Sequence, residues 1–141
     1  MTNYKRILAL VDFSGHTDAV IQSAVMQVAC SGSMFSVLHV VDYTRPLDDD
    51  YIQPPVDTAE ETLLAAAREK LEETLRRLGV ANANVIVVCG NPRHEILRVA
   101  EREVPDLIVI GAHGHHGISD LLGSTTDRVL HRASCHVLTV R

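Results

Sequence analysis

The sequence predicts an α/β domain of three layers, built on an open, doubly wound, five-stranded parallel sheet in the order 3-2-1-4-5. Two observations lead there. Short β-branched apolar runs alternate with segments of helical periodicity along the whole chain, reading β-α-β-α-β-α-β-α-β. Each run is apolar nearly throughout, as expected of strands covered by helices on both faces. Right-handed crossovers leave few strand orders, and 3-2-1-4-5 is the expectation among them.

At 141 residues the chain matches one domain, residues 1–141, with a single core. Residues 5–11 read as the first strand, ending at Asp12, and residues 15–17 as a turn. Ile21, Ala24, Val25, Val28 and Ala29 then recur at helical spacing, and Ser31, Gly32 and Ser33 close that helix. Residues 35–41 form the second strand, ending at Asp42. Residues 43–56 carry Pro46, Pro54 and Pro55 with the acidic triplet Asp48, Asp49 and Asp50, and read as a loop with a solvated charge run, a candidate lid. Residues 58–78 are the strongest helix: Leu64, Ala67, Leu71, Leu75 and Leu78 make its buried stripe, Asp57 and Glu60 resemble a capping box, and Gly79 stops it. Glu72 with Arg76, and Glu73 with Arg77, are expected as surface pairs. Residues 85–89 are the third strand. Asn91 then serves as N-cap with Pro92 in the first turn, Ile96, Val99 and Ala100 face inward, and Val104-Pro105 ends the helix. The fourth strand spans residues 107–110 and the fifth residues 137–140.

Composition excludes several functions. Aromatics are 4% of the chain, with no Trp, and the formal net charge is −5, which disfavours a nucleic-acid partner. No run approaches the roughly 18 apolar residues of a membrane span. The apolar block at residues 7–11 is shorter than a signal-peptide core, so a cytoplasmic protein is expected. Cys30, Cys89 and Cys135 lack a C-x-x-C spacing and read as small core residues in a reducing compartment.

The chemistry concentrates between Asp106 and Val140. The fourth strand breaks into Gly111-Ala-His-Gly114-His-His-Gly117, and Gly123-Ser124-Thr125-Thr126 opens the next helix. A glycine loop feeding a helix N-terminus is a natural phosphate site, because unpaired N–H groups and the helix dipole point the same way. In the order 3-2-1-4-5 the switch point falls between strands one and four, where ligands of open α/β sheets bind. Asp12 therefore stands opposite the loop, with residues 40–42 alongside. These residues by themselves call for a phosphate-bearing ligand and no more. Asp12 also suits a turn cap, the glycines also suit turn punctuation, and Ser124 is expected as a helix cap.

Leu10-Val-Asp12-Phe-Ser14, Leu38-His-Val-Val-Asp42, and Gly111-Ala-His-Gly114 with Gly123-Ser124-Thr125 resemble the universal stress protein family, over essentially the whole chain. The resemblance implies the adenine nucleotide alpha hydrolase-like fold and ATP or another adenine nucleotide as ligand, with Mg²⁺. It places Asp12 near the nucleoside, Val40 at the adenine edge through its main chain, and Gly111 against the ribose. Gly114, Gly123, Ser124 and Thr125 would donate to phosphate oxygens, with His113 in the same loop. It also implies a homodimer through the C-terminal edge strand. The family's ATP-binding pattern has nine residues before its last glycine, whereas eight separate Gly114 from Gly123 here.

Catalysis has little support. No P-loop or nucleophile elbow is present, the glycine loop contains no Lys or Arg, and the nearest downstream base is Arg128. At most a slow ATPase is expected. His113, His115 and His116 suggest Zn²⁺ or Ni²⁺, but no carboxylate or Cys pattern completes a four-ligand site, so no metal is assigned. A nucleotide-independent dimeric interaction protein is the alternative within the family. A phosphoacceptor receiver or flavin carrier is disfavoured: Gly90-Asn91 follows strand three where a receiver has an acid, and the loop lacks flavin-stacking aromatics.

Overall fold

The computed structural model describes residues 3–43, 58–112 and 123–141. Nine elements follow in chain order: β1 (Arg6–Leu10), α1 (Thr17–Ser31), β2 (Met34–Val41), α2 (Thr58–Arg77), β3 (Asn84–Cys89), α3 (Pro92–Glu103), β4 (Leu107–Gly111), α4 (Ser124–Arg132) and β5 (His136–Val140). The strands form one parallel sheet in the order β3-β2-β1-β4-β5, as the apolar runs predict.

Strand alternation sorts the core into two clusters. Ile7, Ala9, Val11, Phe35, Val37, Leu107 and Val109 meet Val20, Ile21 and Ala24 of α1 and Leu71 and Leu75 of α2. Leu8, Leu10, Leu38, Val40, Ile86, Ile108 and Ile110 meet Ile96 and Val99 of α3 and Val129 of α4. Successive strand residues point to opposite faces, so the sheet is sealed on both sides. At the bottom of the sheet the Asp106 carboxylate accepts the backbone N–H groups of Lys5 (2.7 Å) and Arg6 (2.9 Å), fastening β1 to β4 where both begin.

Helix ends follow their local signals. The Asn91 side chain accepts the Arg93 N–H at 3.0 Å with Pro92 in the first turn, and Gly32 and Gly79 close α1 and α2 in the left-handed region. Asp57 and the 44–56 loop with its acidic triplet lie outside the described residues.

Five expectations need correction. β5, the expected edge strand, is less buried than its apolar run suggests: Val137 and Val140 pack against the core, but His136, Leu138 and Thr139 are exposed, and no described strand pairs with its outer side. Cys30 is exposed and Cys89 and Cys135 are half-buried, so the cysteines border the core instead of filling it. On α2 only Leu71 and Leu75 are fully buried, with Leu64, Ala67 and Leu78 half-buried, and on α1 Ala29 is exposed. Arg77 reaches across to Asp18 of α1 in a two-pronged pair at 2.8 and 3.0 Å, drawing it from Glu73. Glu72 lies 3.9 Å from Arg68 rather than pairing with Arg76.

Candidate functional site

The upper rim of the sheet is where β1 and β4 end side by side, with Leu10 in register with Ile110. Strand order reverses between these two, since β2 follows on one side and β5 on the other. The chain emerging from β1 is Val11, whose N–H donates to the Leu38 carbonyl at 3.0 Å, and then Asp12, which is exposed. The Ser14 N–H returns to Asp12 Oδ1 at 3.0 Å, so the carboxylate closes a tight turn ahead of α1. The capping role weighed for Asp12 is therefore real. A carboxylate has acceptor capacity beyond one such bond, which leaves room for a ligand role as well.

Between Asp12 and Ser14, Phe13 sits at φ 60°, the left-handed region. For an aromatic residue this conformation costs about 1–3 kcal/mol. Its ring lies 4.4 Å from the His39 ring, centroid to centroid, and the Lys70 ammonium stands 4.4 Å over it. Such a cation–π contact contributes about 0.5–1 kcal/mol at an exposed position. His39 Nδ1 is 2.9 Å from the Val11 carbonyl oxygen, so the hydrogen bond requires the proton on Nδ1. Burial pushes the imidazole below its ordinary pKa and Lys70 adds to this, against the Val11 hydrogen bond and the Asp12 charge, which pull it up. His39 is thus a neutral packing partner at the rim. Sequence reasoning passed over Phe13, His39 and Lys70. A histidine inside the apolar run of residues 35–41 was the one available signal.

On the other side of the switch point, β4 ends at Gly111. The Thr126 hydroxyl, buried in the first turn of α4, donates to the Gly111 carbonyl at 2.7 Å. The Ala112 N–H donates to Val140 at 2.7 Å, and the Gly123 N–H donates to the Ala112 carbonyl at 3.0 Å. These three bonds clasp the end of β4, the start of α4 and the end of β5. The loop of residues 113–122, with His113, Gly114, His115 and His116, lies outside the described residues, but it leaves and re-enters the fold through this clasp.

Two expectations for α4 change. Its N-cap is Gly123 and not Ser124, which is the first helical residue and exposed. Gly123 has φ −60° and ψ 153°, extended backbone open to any residue, so no positive φ demands glycine there. A glycine N-cap brings no side-chain oxygen, and among the described residues no side chain caps this helix start, which leaves its first N–H groups open to a ligand or water. Ser124 and Thr125 offer hydroxyls beside them, while Thr126 is committed to Gly111. Val40, 9% exposed, sits near the end of β2, in register with Val88 of β3 and past the β1 terminus. Among the described residues no group of three or more His, Cys, Asp or Glu side chains is placed to hold a metal ion. No described helix is long and apolar enough to cross a membrane.

The model of the "Universal stress protein family" matches residues 3–141. The chain belongs to the universal stress protein family. "Universal stress protein A homolog 1" of Coxiella burnetii is 34% identical, over 98% of this chain and 96% of that protein. The solved UspA of Lactobacillus plantarum covers 100% of both chains at 29% identity with a TM-score of 0.79. MJ0577, a universal stress protein of Methanocaldococcus jannaschii whose structure was solved for a structure-based assignment of biochemical function, covers 99% of this chain and 96% of its own at 28% identity and a TM-score of 0.75. A universal stress protein solved in complex with cAMP shares the fold, at 19% identity over 99% of this chain and 98% of its own, with a TM-score of 0.71. The universal stress protein fold is therefore the one assembled here, and the rim between β1 and α4 is its switch point.

Proposed function

We propose that this universal stress protein binds an adenine nucleotide between the end of β1 and residues 111–125, as a stress-response regulatory module whose bound state is read by partners. One observation carries the reading: the uncapped N-terminus of α4 is clasped to the end of β4 at the switch point, beside Asp12. Backbone N–H groups fixed there suit phosphate oxygens without a lysine. In this reading Gly114, Gly123, Ser124 and Thr125 meet the phosphates with His113 beside them, Gly111 lies against the ribose, Asp12 accepts from the nucleoside and Val40 meets the adenine edge. Mg²⁺ would accompany the nucleotide and offset phosphate charge. The sequence carries no P-loop lysine and no nucleophile elbow, so the reading includes slow turnover at most.

The test is calorimetry with ATP, ADP, AMP, cAMP and GTP, each with Mg²⁺. Mass spectrometry of the denatured, freshly purified protein reads any nucleotide retained. Adenine nucleotides should bind more tightly than GTP. No heat and no retained nucleotide would sink the reading.

The nucleotide-independent dimer remains a second reading because β5 is an uncovered edge with Leu138 36% exposed. An apolar edge of this kind invites pairing with its own copy. Light scattering at tens of micromolar should give the dimer mass in either reading, and a monomer would remove the proposed β5 contact.

A further inference from the structure

We propose that Arg128 is a further ligand-binding residue of this site: from one turn inside α4 its guanidinium takes the outermost phosphate, so that affinity rises with the number of phosphates. The ligand rests on the adenine-nucleotide reading above, whereas the uncommitted cation is a property of the free protein.

Among the described residues only two buried side-chain polar atoms lack a hydrogen-bond partner, Thr17 Oγ1 and Arg128 Nε. An N–H shielded from water and left unpaired destabilises the fold, more so when it belongs to a charged group. Such an exception calls for a reason. Core packing does not supply one: the buried stripe of α4 is Thr126 and Val129, and Arg128 lies off it, only half-buried. No carboxylate supplies one either. Asp127, its neighbour in sequence, has Oδ1 3.5 Å from His131 Nδ1, and among the described residues Arg128 forms no ion pair.

Helix geometry says where the cation can go. Arg128 stands at i+4 from Ser124 and i+3 from Thr125, so it shares their side of α4. Long side chains on a helix lean toward its N-terminus. Four residues rise about 6 Å, a distance the arginine stem spans, so the guanidinium can reach the level of the first turn. The N–H groups there have no side-chain cap and can hold one phosphate group. A phosphate farther along the chain then meets a planar fork of donors suited to its oxygens. This is the positive charge that residues 113–122, with no Lys or Arg, do not bring.

The experiment compares Arg128→Met, which keeps an apolar stem without charge, with Arg128→Lys, which keeps a charge without the fork. Calorimetry with ATP, ADP and AMP, each with Mg²⁺, is paired with thermal denaturation of the ligand-free proteins. Arg128→Met should weaken ATP about 10- to 30-fold, ADP less, and AMP by under about threefold, with Arg128→Lys intermediate for ATP. The ligand-free melting temperature of Arg128→Met should be no lower than the parent's, because an unpaired buried N–H is gone. No loss for ATP, or losses that do not grow with phosphate number, overturn the proposal. A purely structural role would lower the ligand-free melting temperature and weaken the three nucleotides alike. If the parent binds none of them, the nucleotide reading fails separately, and inorganic tripolyphosphate then decides. A thermal shift in the parent that Arg128→Met loses supports the phosphate contact, whereas no shift, or an equal shift in both proteins, overturns it.

Discussion

Gly90 closes β3 at φ 143°, and its N–H donates to the Val41 carbonyl at 3.0 Å, tying the ends of β2 and β3 beside the rim. Gly90→Ala should destabilise the protein through two separable effects. The first is backbone: a residue with a Cβ at this φ is strained by about 1–3 kcal/mol. The second is steric. An added Cβ would lie 2.7 Å from Glu95 Cγ and 3.1 Å from both Cδ and Oε1. Glu95 is a flexible side chain and can swing away, but it then gives up its 2.7 Å pair with Arg98. That partly exposed pair is worth about 0.5 kcal/mol. The total is about 1.5–3.5 kcal/mol, with the backbone effect dominant. Unfolding entropy for 141 residues is about 0.3 kcal/mol/K, so the melting temperature should fall by about 5–12 °C. Thermal denaturation by circular dichroism measures this directly. Gly90→Ala combined with Glu95→Ala removes the clash but keeps the strain and also lacks the Arg98 pair, and should melt close to the single variant. A single variant that melts like the parent, or a double variant that recovers fully, would refute the assignment of the cost to backbone conformation.

Three further outcomes are expected. Thr126→Val keeps the buried volume but deletes the donor to Gly111, and should cost about 1–2 kcal/mol in chemical denaturation while Thr126→Ser keeps the hydrogen bond. Burial pushes the Asp106 carboxyl up, but hydrogen bonds from the Lys5, Arg6 and Asp106 N–H groups and the Lys5 charge outweigh it and hold the pKa below the ordinary carboxylate value. Its stabilisation is therefore present above the unfolded pKa and lost as pH falls through the folded one, so Asp106→Asn should be less stable than the parent at neutral pH by about 1 kcal/mol, with the gap closing below about pH 4. Gly123→Ala meets extended backbone and should fold with little change in melting temperature, whereas nucleotide titration should report weaker binding as the new methyl crowds the phosphate position.

The sheet order and every element were legible because apolar runs, helical periodicity and stop signals such as Asn91-Pro92, Gly32 and Gly79 agree with one another. The meeting of the β1 and β4 ends was legible for the same reason, since strand order alone sets them side by side. What escaped was decided at long range. The order placed β5 at the edge, but how far its side chains are exposed depends on what packs beside it, which an apolar run does not show. Arg77 has a plausible sequence neighbour in Glu73, yet Asp18 on another helix offers better geometry. Glycine in a sequence permits positive φ without requiring it, so Gly123 and Gly90 looked equivalent and are not. Phe13 gave no warning, because its contacts with His39 and Lys70 join segments far apart in the sequence.

The hydrogen bond from the Gly123 N–H to the Ala112 carbonyl holds together the two ends of the ten-residue segment between them. Closing a loop costs free energy that grows only logarithmically with its length, about 0.6 kcal/mol for each doubling. One residue more or less in such a loop changes that cost by about 0.1 kcal/mol. A loop one residue shorter than the family pattern between Gly114 and Gly123 therefore carries almost no penalty through loop closure. Whatever holds the length steady must sense it through what the loop touches. Inserting a glycine to restore nine residues would then leave the melting curve in place while moving the ligand's affinity.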